Sequence, residues 1–179
     1  MTTETSLYGQ SLYDLAAEEG LSKEILDEMG AVEKIFKENP DYITLLLEPS
    51  IPRRERLGLL EEAFKDQLHP YLQNFLMILL EKNLLRGFSS CFRTFRASYN
   101  KDHGIEEATV TSAVALSDAQ VNSLKAKLEK MSGKTVLLRQ TVDSSVLGGL
   151  RVEIGGKLLD GTVMGRLADL RKKVSETVL

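Results

Sequence analysis

The sequence predicts a mostly α-helical fold, in which an N-terminal six-helix bundle is followed by a smaller α+β domain with a short sheet and two helices. Two observations support this prediction. All aromatic residues and all four prolines lie before residue 105, whereas residues 106–179 contain neither and hold seven of the thirteen glycines. Apolar residues recur at helical spacing in the first region and follow mixed periods in the second. We therefore expect two domains, 1–105 and 106–179, joined at the polar stretch Asn100–Gly104.

The first three helices are predicted from apolar spacing and from residues that start or stop a helix. The first helix ends near Gly20. Its periodic positions are Leu7, Ser11, Leu12, Leu15 and Ala16. Ser22 is expected to cap a second helix, which stops at Asn39-Pro40. Pro40 can open a short third helix that continues through Leu47.

Prolines also mark the next two helices. Pro52 suits the first turn of a fourth helix, and Pro70 starts a fifth that runs from Tyr71 to about Asn83. The sixth helix is predicted from an aromatic stripe on one face. Its members are Phe88, Phe92, Phe95 and Tyr99. The connections are short, so neighbouring helices are expected to pack antiparallel.

In the second region the sequence predicts a strand, a helix, three strands and a final helix, in that order. The predicted strands are 108–116, 135–142, 150–154 and 157–160, and Gly155-Gly156 is a two-residue hairpin signal between the last two. Ser117 and Gln120 form a capping-box pattern that opens the first helix of this region, which ends at Gly133. The residues expected to face inward on that helix are Val121, Leu124, Leu128 and Met131. Thr162 is expected to cap the last helix. Its apolar face would hold Val163, Leu167, Leu170 and Val174.

Composition and charge argue against several classes of protein. The formal net charge is −3, which disfavours a strongly basic nucleic-acid binder. Cys91 is the only cysteine, so an intramolecular disulfide is impossible. No segment has the roughly 20 apolar residues of a membrane span, and the N-terminus has no features of a signal or transit peptide. These features make the cytoplasm the default compartment.

Charge also differs along the chain. Residues 1–49 carry three basic and eleven acidic side chains, whereas residues 106–179 carry eleven basic and nine acidic ones. This asymmetry suggests that the two domains have different partners.

The search for catalytic chemistry finds no catalytic, cofactor-binding or metal-ligating residues. The segment Gly149–Lys157 lacks the spacing and the hydroxyl of a phosphate-binding loop, and a hairpin explains its glycines better. His69 and His103 have no partner at ligand spacing. Cys91 lies beside an apolar helix face, so a small buried thiol is favoured there over a reactive one. The basic cluster Arg53–Arg56 could touch phosphate, but a solvated helical turn is the favoured interpretation. The residues therefore indicate a two-domain interaction protein.

Five motifs, in order along nearly the whole chain, resemble those of the delta subunit of F-type ATP synthase, the family called OSCP in mitochondria. Those motifs are Tyr8–Ala16, Leu47–Arg53, Asn74–Asn83, Val110–Ala113 with Leu116-Ser117, and Val142–Val152 continuing through Asp160–Val163 to Leu167. Gly9 and Ser11 stand where the family has alanines, and Leu84–Gly87 departs from the family's Gly-Arg-Leu.

The resemblance implies a non-catalytic stator, or peripheral stalk, subunit without a cofactor. Such a subunit links the N-terminal helix of an alpha subunit, held by the N-terminal bundle, to the C-terminal region of the b stalk, held by the C-terminal domain. It resists rotor torque during proton-driven ATP synthesis. The resemblance also implies a peripheral position on the cytoplasmic (or stromal-equivalent) face through the complex, with no membrane insertion and no nucleic acid.

The groove for the alpha-subunit helix is predicted on the first and fifth helices, because helix-in-groove contacts use anchors at helical spacing. The predicted groove residues are Leu7, Tyr8, Ser11, Leu12, Leu15, Asn74, Phe75, Ile78 and Leu79.

Two other functions stay open at this point. One is a free-standing helical adaptor or RNA-associated factor, which would need a converging basic face and a steep salt dependence. The other is an enzyme that works through the segment 148–160, which nucleotides would stabilise against melting.

Overall fold

A computed structural model describes residues 2–65, 67–146, 148–163 and 165 of the chain. The chain divides into two compact units, Met1–Asn100 and Lys101–Leu179. The division falls within the polar stretch that the sequence marks as a joint.

The first unit consists of α-helices connected by short turns. The bounds are α1 Thr2–Glu18, α2 Ser22–Glu38, α3 Pro40–Leu46, α4 Arg53–Ala63, α5 Pro70–Glu81 and α6 Phe88–Asp102, with a short 3-10 turn at Leu85–Gly87. Each helix contributes buried apolar side chains to a single hydrophobic core, for example Ile25 from α2 and Leu72 from α5. The mostly helical prediction for this region is therefore confirmed.

Local chemistry explains several helix ends. Pro40 and Pro70 are first helical residues, where a missing N–H costs nothing. The His69 imidazole accepts a hydrogen bond from the Tyr71 backbone N–H at 3.2 Å, which caps α5. The His69 backbone N–H in turn donates to the Glu28 carboxylate of α2 at 2.9 Å. The predicted cap at Ser22 is wrong: Ser22 is already helical, Leu21 holds the cap position, and no side chain bonds there.

Aromatic rings fill much of the first core. Phe36 packs edge-to-face against Phe64 and Phe88, with ring centroids 6.1 Å and 5.4 Å apart. Tyr13 of α1 meets Phe95 of α6 in the same geometry at 5.3 Å. Such pairs add about 0.5–1.5 kcal/mol beyond the area they bury. The aromatic stripe of α6 is therefore mainly core, as the sequence indicates.

The second unit contains a four-stranded mixed sheet and the helix α7, Asp118–Ser132. The strands are β1 Ile105–Ser112, β2 Thr135–Val142, β3 Leu150–Ile154 and β4 Lys157–Asp160, in the spatial order β2-β1-β3-β4. β1 and β2 are parallel and are joined through α7, whereas the β1–β3 and β3–β4 pairs are antiparallel. The predicted bounds of β2, β3 and β4 are confirmed.

β1 differs from its prediction. It begins at Ile105 and ends at Ser112, because its whole length pairs with β2. The Ser112 hydroxyl then donates to the Val114 carbonyl at 2.7 Å, and Val114 is exposed. That turn directs the chain towards α7.

Caps and turns in the second unit follow the predicted chemistry. Ser117 and Gln120 form both halves of the capping box, and α7 ends at Gly133. Gly155 and Gly156 have φ of 55° and 72°, the positive values that a type I′ hairpin turn requires. The core is aliphatic and comprises Ala108, Val110, Leu128, Val136, Val152 and Ile154. Met131 was expected to face inward, but it is 62% exposed at the last turn of α7.

The predicted last helix lies mostly outside the described residues. The Thr162 hydroxyl does accept a hydrogen bond from the Gly165 backbone N–H at 3.0 Å, in the manner of a helix cap. Leu167, Leu170 and Val174 are not among the described residues. Of the helices in the described part of the chain, none has the length and apolar character of a membrane span.

Candidate partner-binding site

Among the described residues of the first unit, the large apolar side chain with the greatest exposure lies on the outer face of α1. Leu7 is 67% exposed, and Leu15 is 39% exposed two helical turns later. Ser11 lies between them on the same side, because residues four apart share a helix face. Tyr8 is half-buried and packs against the core. These side chains form a stripe, apolar apart from Ser11, in a strongly acidic part of the chain.

Part of this stripe lines a surface depression of about 540 Å³. We call it the α1 depression. From α1 it is lined by Glu4, Leu7, Tyr8 and Ser11. Lys82 and Leu84, which follow the end of α5, form the other wall. Its lining combines apolar side chains with one acidic and one basic side chain, and this mixture suits an amphipathic helix better than a small metabolite.

Three of the predicted groove residues lie in the hydrophobic core instead. Leu12, Phe75 and Leu79 are 5%, 6% and 0% exposed, respectively. The reason is helical geometry: Leu12 shares the inward face of α1 with Tyr13 and Ala16, about 100° or more from the face of Leu7. A free groove cannot use these side chains unless the core opens.

The remaining α5 residues do not line the α1 depression. Asn74 is exposed and Ile78 is half-buried, on the outer face of α5. The structure thus brings together Leu7, Tyr8 and Ser11 and adds Lys82 and Leu84, which the sequence analysis missed. No signal in the sequence marks Leu84, because it follows α5 and reaches this depression only through tertiary structure.

Close backbone packing supports α1 from beneath. A Cβ on Gly9 would lie 2.8 Å from the Cys91 Cα of α6, so the two helices approach closely at this point. The Cys91 thiol donates to the Thr5 carbonyl at 3.0 Å, and burial raises the pKa of the Cys91 thiol to about 11. The thiol is therefore a packed, protonated group, as the sequence analysis favoured over a reactive one.

The basic cluster at the start of α4 is partly engaged within the fold. Arg53 forms an ion pair with Glu81 at 2.5 Å. Arg56 donates to the carbonyl of Leu46 at the end of α3, at 3.3 Å. Arg53 and Arg54 are exposed, as expected for a solvated helical turn, whereas Arg56 is half-buried and connects α4 to α3.

The glycine segment of the second unit forms turns and a close backbone crossing. Gly149 has a φ of 84°, and a Cβ there would lie 2.8 Å from the Thr162 Cα. Hydrogen bonds from the hydroxyl and backbone N–H of Thr162 lower the pKa of the Asp160 carboxyl. Hydrogen bonds from the hydroxyl and backbone N–H of Ser145 do the same for Asp143. Both carboxylates thus stabilise local turns by accepting these hydrogen bonds. Within the described residues, no group of three or more His, Cys, Asp or Glu could hold a metal ion.

Comparison with known proteins assigns the chain to a family. Residues 5–174 match the family described as ATP synthase delta (OSCP) subunit. The chain is 31% identical over 168 residues to the ATP synthase subunit delta of Shouchella clausii, covering 93% of each chain. It is 32% identical over 167 residues to that of Chlorobium chlorochromatii, again covering 93% of each.

A solved structure supports the fold over the same length. A chain of the Toxoplasma gondii mitochondrial ATP synthase hexamer superposes with a TM-score of 0.76 at 18% identity, covering 95% of this chain and 96% of that one. The family match extends over both units, from the α1 stripe to the glycine-rich crossing at Gly149, and two curated relatives match at nearly full length. The chain therefore belongs to the ATP synthase delta (OSCP) subunit family.

Proposed function

We propose that this chain is the stator subunit that joins the catalytic head of an F-type ATP synthase to its peripheral stalk and resists rotor torque. The observation that carries the proposal is the match of residues 5–174 to the delta (OSCP) family. The chain works as a peripheral component on the cytoplasmic (or stromal-equivalent) face of the complex. Its role is mechanical, and bond-making chemistry belongs to other subunits.

A mechanical joint needs strong binding and slow release. Holding a partner at nanomolar strength requires about 12 kcal/mol of net binding free energy. A partner segment that folds as it docks needs about 2–5 kcal/mol more. The joint must therefore offer exposed apolar surface on a rigid support. The shared core of α1–α6 supplies that support, and we take these helices to form a six-helix bundle.

The α1 depression is the proposed grip for the N-terminal helix of the alpha subunit. Leu7 and Leu84 offer the apolar contact, and Glu4 and Lys82 offer charges at the rim. The stripe of Leu7, Ser11 and Leu15 extends the contact along α1 beyond the depression. Of the nine groove residues predicted from the sequence, the proposed contact keeps Leu7, Tyr8, Ser11 and Leu15.

The second unit is the proposed grip for the C-terminal region of the b stalk. Its charge balance is basic, with eleven basic and nine acidic side chains in residues 106–179, whereas residues 1–49 are strongly acidic. Two units with opposite charge bias suit two different partners.

The test compares Leu7→Asp with Leu45→Asp in the full-length chain. Both leucines are exposed, at 67% and 44%, but only Leu7 lines the α1 depression. Burying a leucine contributes about 1.5–3 kcal/mol, so Leu7→Asp should weaken binding of an alpha-subunit N-terminal peptide about 10- to 100-fold in calorimetry. Leu45→Asp should leave the affinity within about twofold.

Leu12→Asp provides a third arm of this test. Because Leu12 is buried, a carboxylate at that position should unfold the first unit and lower the melting temperature. If the folded wild-type chain gives no saturable heat with the peptide, the proposed head contact is wrong. Equal binding by the Leu7 and Leu45 variants would place that contact elsewhere.

A further inference from the structure

A second surface groove runs along α7 in the second unit. It encloses about 350 Å³ and is lined mainly by apolar atoms. We call it the α7 groove. Its lining includes Leu116, Ala119, Ser123, Leu124, Lys127 and Leu150. We propose that the α7 groove binds a partner helix whose apolar stripe is flanked by carboxylates. The inference rests on the proposed function, because it names the part of the second unit that grips the stalk.

The shape of the groove favours a helix as the occupant. Its α7 residues follow one another at spacings of three and four, so it runs along the helix axis for about two turns. Ala119 and Ser123 are small and exposed, which lets a second helix axis approach to about 8–10 Å. A groove of this direction accepts the side-chain ridge of a helix lying beside α7.

The floor of the groove is already rigid. Leu116, Leu124 and Leu150 are half-buried and pack against the aliphatic core of the second unit. Their remaining exposed surface faces the groove. A partner would therefore gain apolar contact without first ordering these side chains, and that reduces the entropic cost of binding.

Charge defines the chemistry of the partner. Among the described residues that line the groove, Lys127 alone is charged. In the described part of the chain no ion pair engages Lys127, whereas its neighbour Lys125 lies 3.8 Å from Glu129. Lys130 follows one turn later on α7. A helix with glutamates beside its apolar stripe would complement this end of the groove.

The chain offers a matched pair of variants for the test. Ser123 and Asn122 are adjacent and exposed on α7, but only Ser123 lines the groove. Glutamate is a good helix former, so neither Ser123→Glu nor Asn122→Glu should unfold the unit. Ser123→Glu fills the groove and adds a negative charge, whereas Asn122→Glu adds the same group about 100° away around the helix.

The probe is a designed helical peptide of about 20 residues, with leucines at spacings of three and four and glutamates on both flanks. Fluorescence anisotropy with the full-length chain should show saturable binding. Ser123→Glu should weaken it at least about tenfold, and Asn122→Glu should change it less than about twofold. Lys127→Glu should reverse the preference, so that a lysine-flanked version of the peptide binds more tightly.

The same variants are then measured with a C-terminal fragment of the b subunit. If the fragment binds wild type and Ser123→Glu equally, the inference is overturned while the proposed stalk contact stands. If the fragment does not bind the wild-type chain at all, the stalk contact itself fails. A wild-type dimer in sedimentation that Ser123→Glu dissociates would assign the groove to a second copy, and it would also overturn the inference.

Discussion

At Gly9 a neighbouring backbone leaves no room for a side chain. A methyl group there would lie 2.8 Å from the Cys91 Cα and would also press on the Cys91 carbonyl. Backbone atoms cannot rotate away as a flexible side chain can, so α1 and α6 would have to separate. The exposed stripe of α1 depends on this contact, because the inner face of the same helix is held against α6.

This packing predicts opposite effects for two glycine substitutions. Gly9→Ala should lower the free energy of unfolding by about 1–3 kcal/mol, the usual cost of overpacking. Gly58→Ala in α4 should raise it by about 0.5–1 kcal/mol, because no atom lies within 4 Å of the added methyl and alanine favours helix. Urea denaturation of both variants measures the two effects. A stable Gly9→Ala variant would contradict the close approach of α1 and α6.

At the scale of single elements, the presence of a side-chain cap distinguishes two helices whose sequences both place a serine near the helix start. Both α2 and α7 begin near a serine, Ser22 and Ser117. Only Ser117 accepts the Gln120 N–H, and Gln120 in turn accepts the Ser117 N–H at 2.9 Å. Ser22 lies one residue too late and makes no cap bond.

Alanine substitution distinguishes these two serines. Ser117→Ala should destabilise the second unit by about 0.5–2 kcal/mol, since it leaves an orphan N–H at the start of α7. Ser22→Ala should be neutral within about 0.5 kcal/mol, because alanine suits a first helical turn and no bond is lost. Thermal melts of the two variants provide the measurement. Equal losses would show that the serine hydroxyl does not cap α7.

The strands could be predicted from the sequence, whereas the buried and exposed faces of α1 could not, for a physical reason. β2 to β4 were located correctly because alternation and the Gly155-Gly156 turn act locally. The faces of α1 could not be assigned, because Leu7 and Leu12 are the same residue type and only packing decides which one is buried. Leu84 was missed because it follows α5 and meets α1 only through tertiary structure.

At the scale of the whole molecule, the proposed stator role places the two grips in series. Torque on the head would pass through the α1 depression, then through the chain, and then through the α7 groove. In a series coupling each joint carries the full load, so the weaker joint limits the work transferred. Binding and coupling should consequently respond differently when both grips are altered.

In binding assays, Leu7→Asp and Ser123→Glu should act independently, because their sites lie in separate compact units and have no lining residue in common. Each should weaken only its own partner. In membrane vesicles reconstituted with the complete synthase, either variant alone should lower proton-driven ATP synthesis. The double variant should then synthesise ATP about as slowly as the worse single variant.

Leu45→Asp and Asn122→Glu are the controls for this measurement, since both place a carboxylate on an exposed helix surface away from the proposed grips. They should keep ATP synthesis near the wild-type rate. A double variant whose loss equals the product of the two single losses would indicate parallel attachments that share the load. In a series coupling the weaker of the two contacts limits the work transferred. When Ser123→Glu is the more severe change, restoring Leu7 in the double variant should therefore recover almost no ATP synthesis.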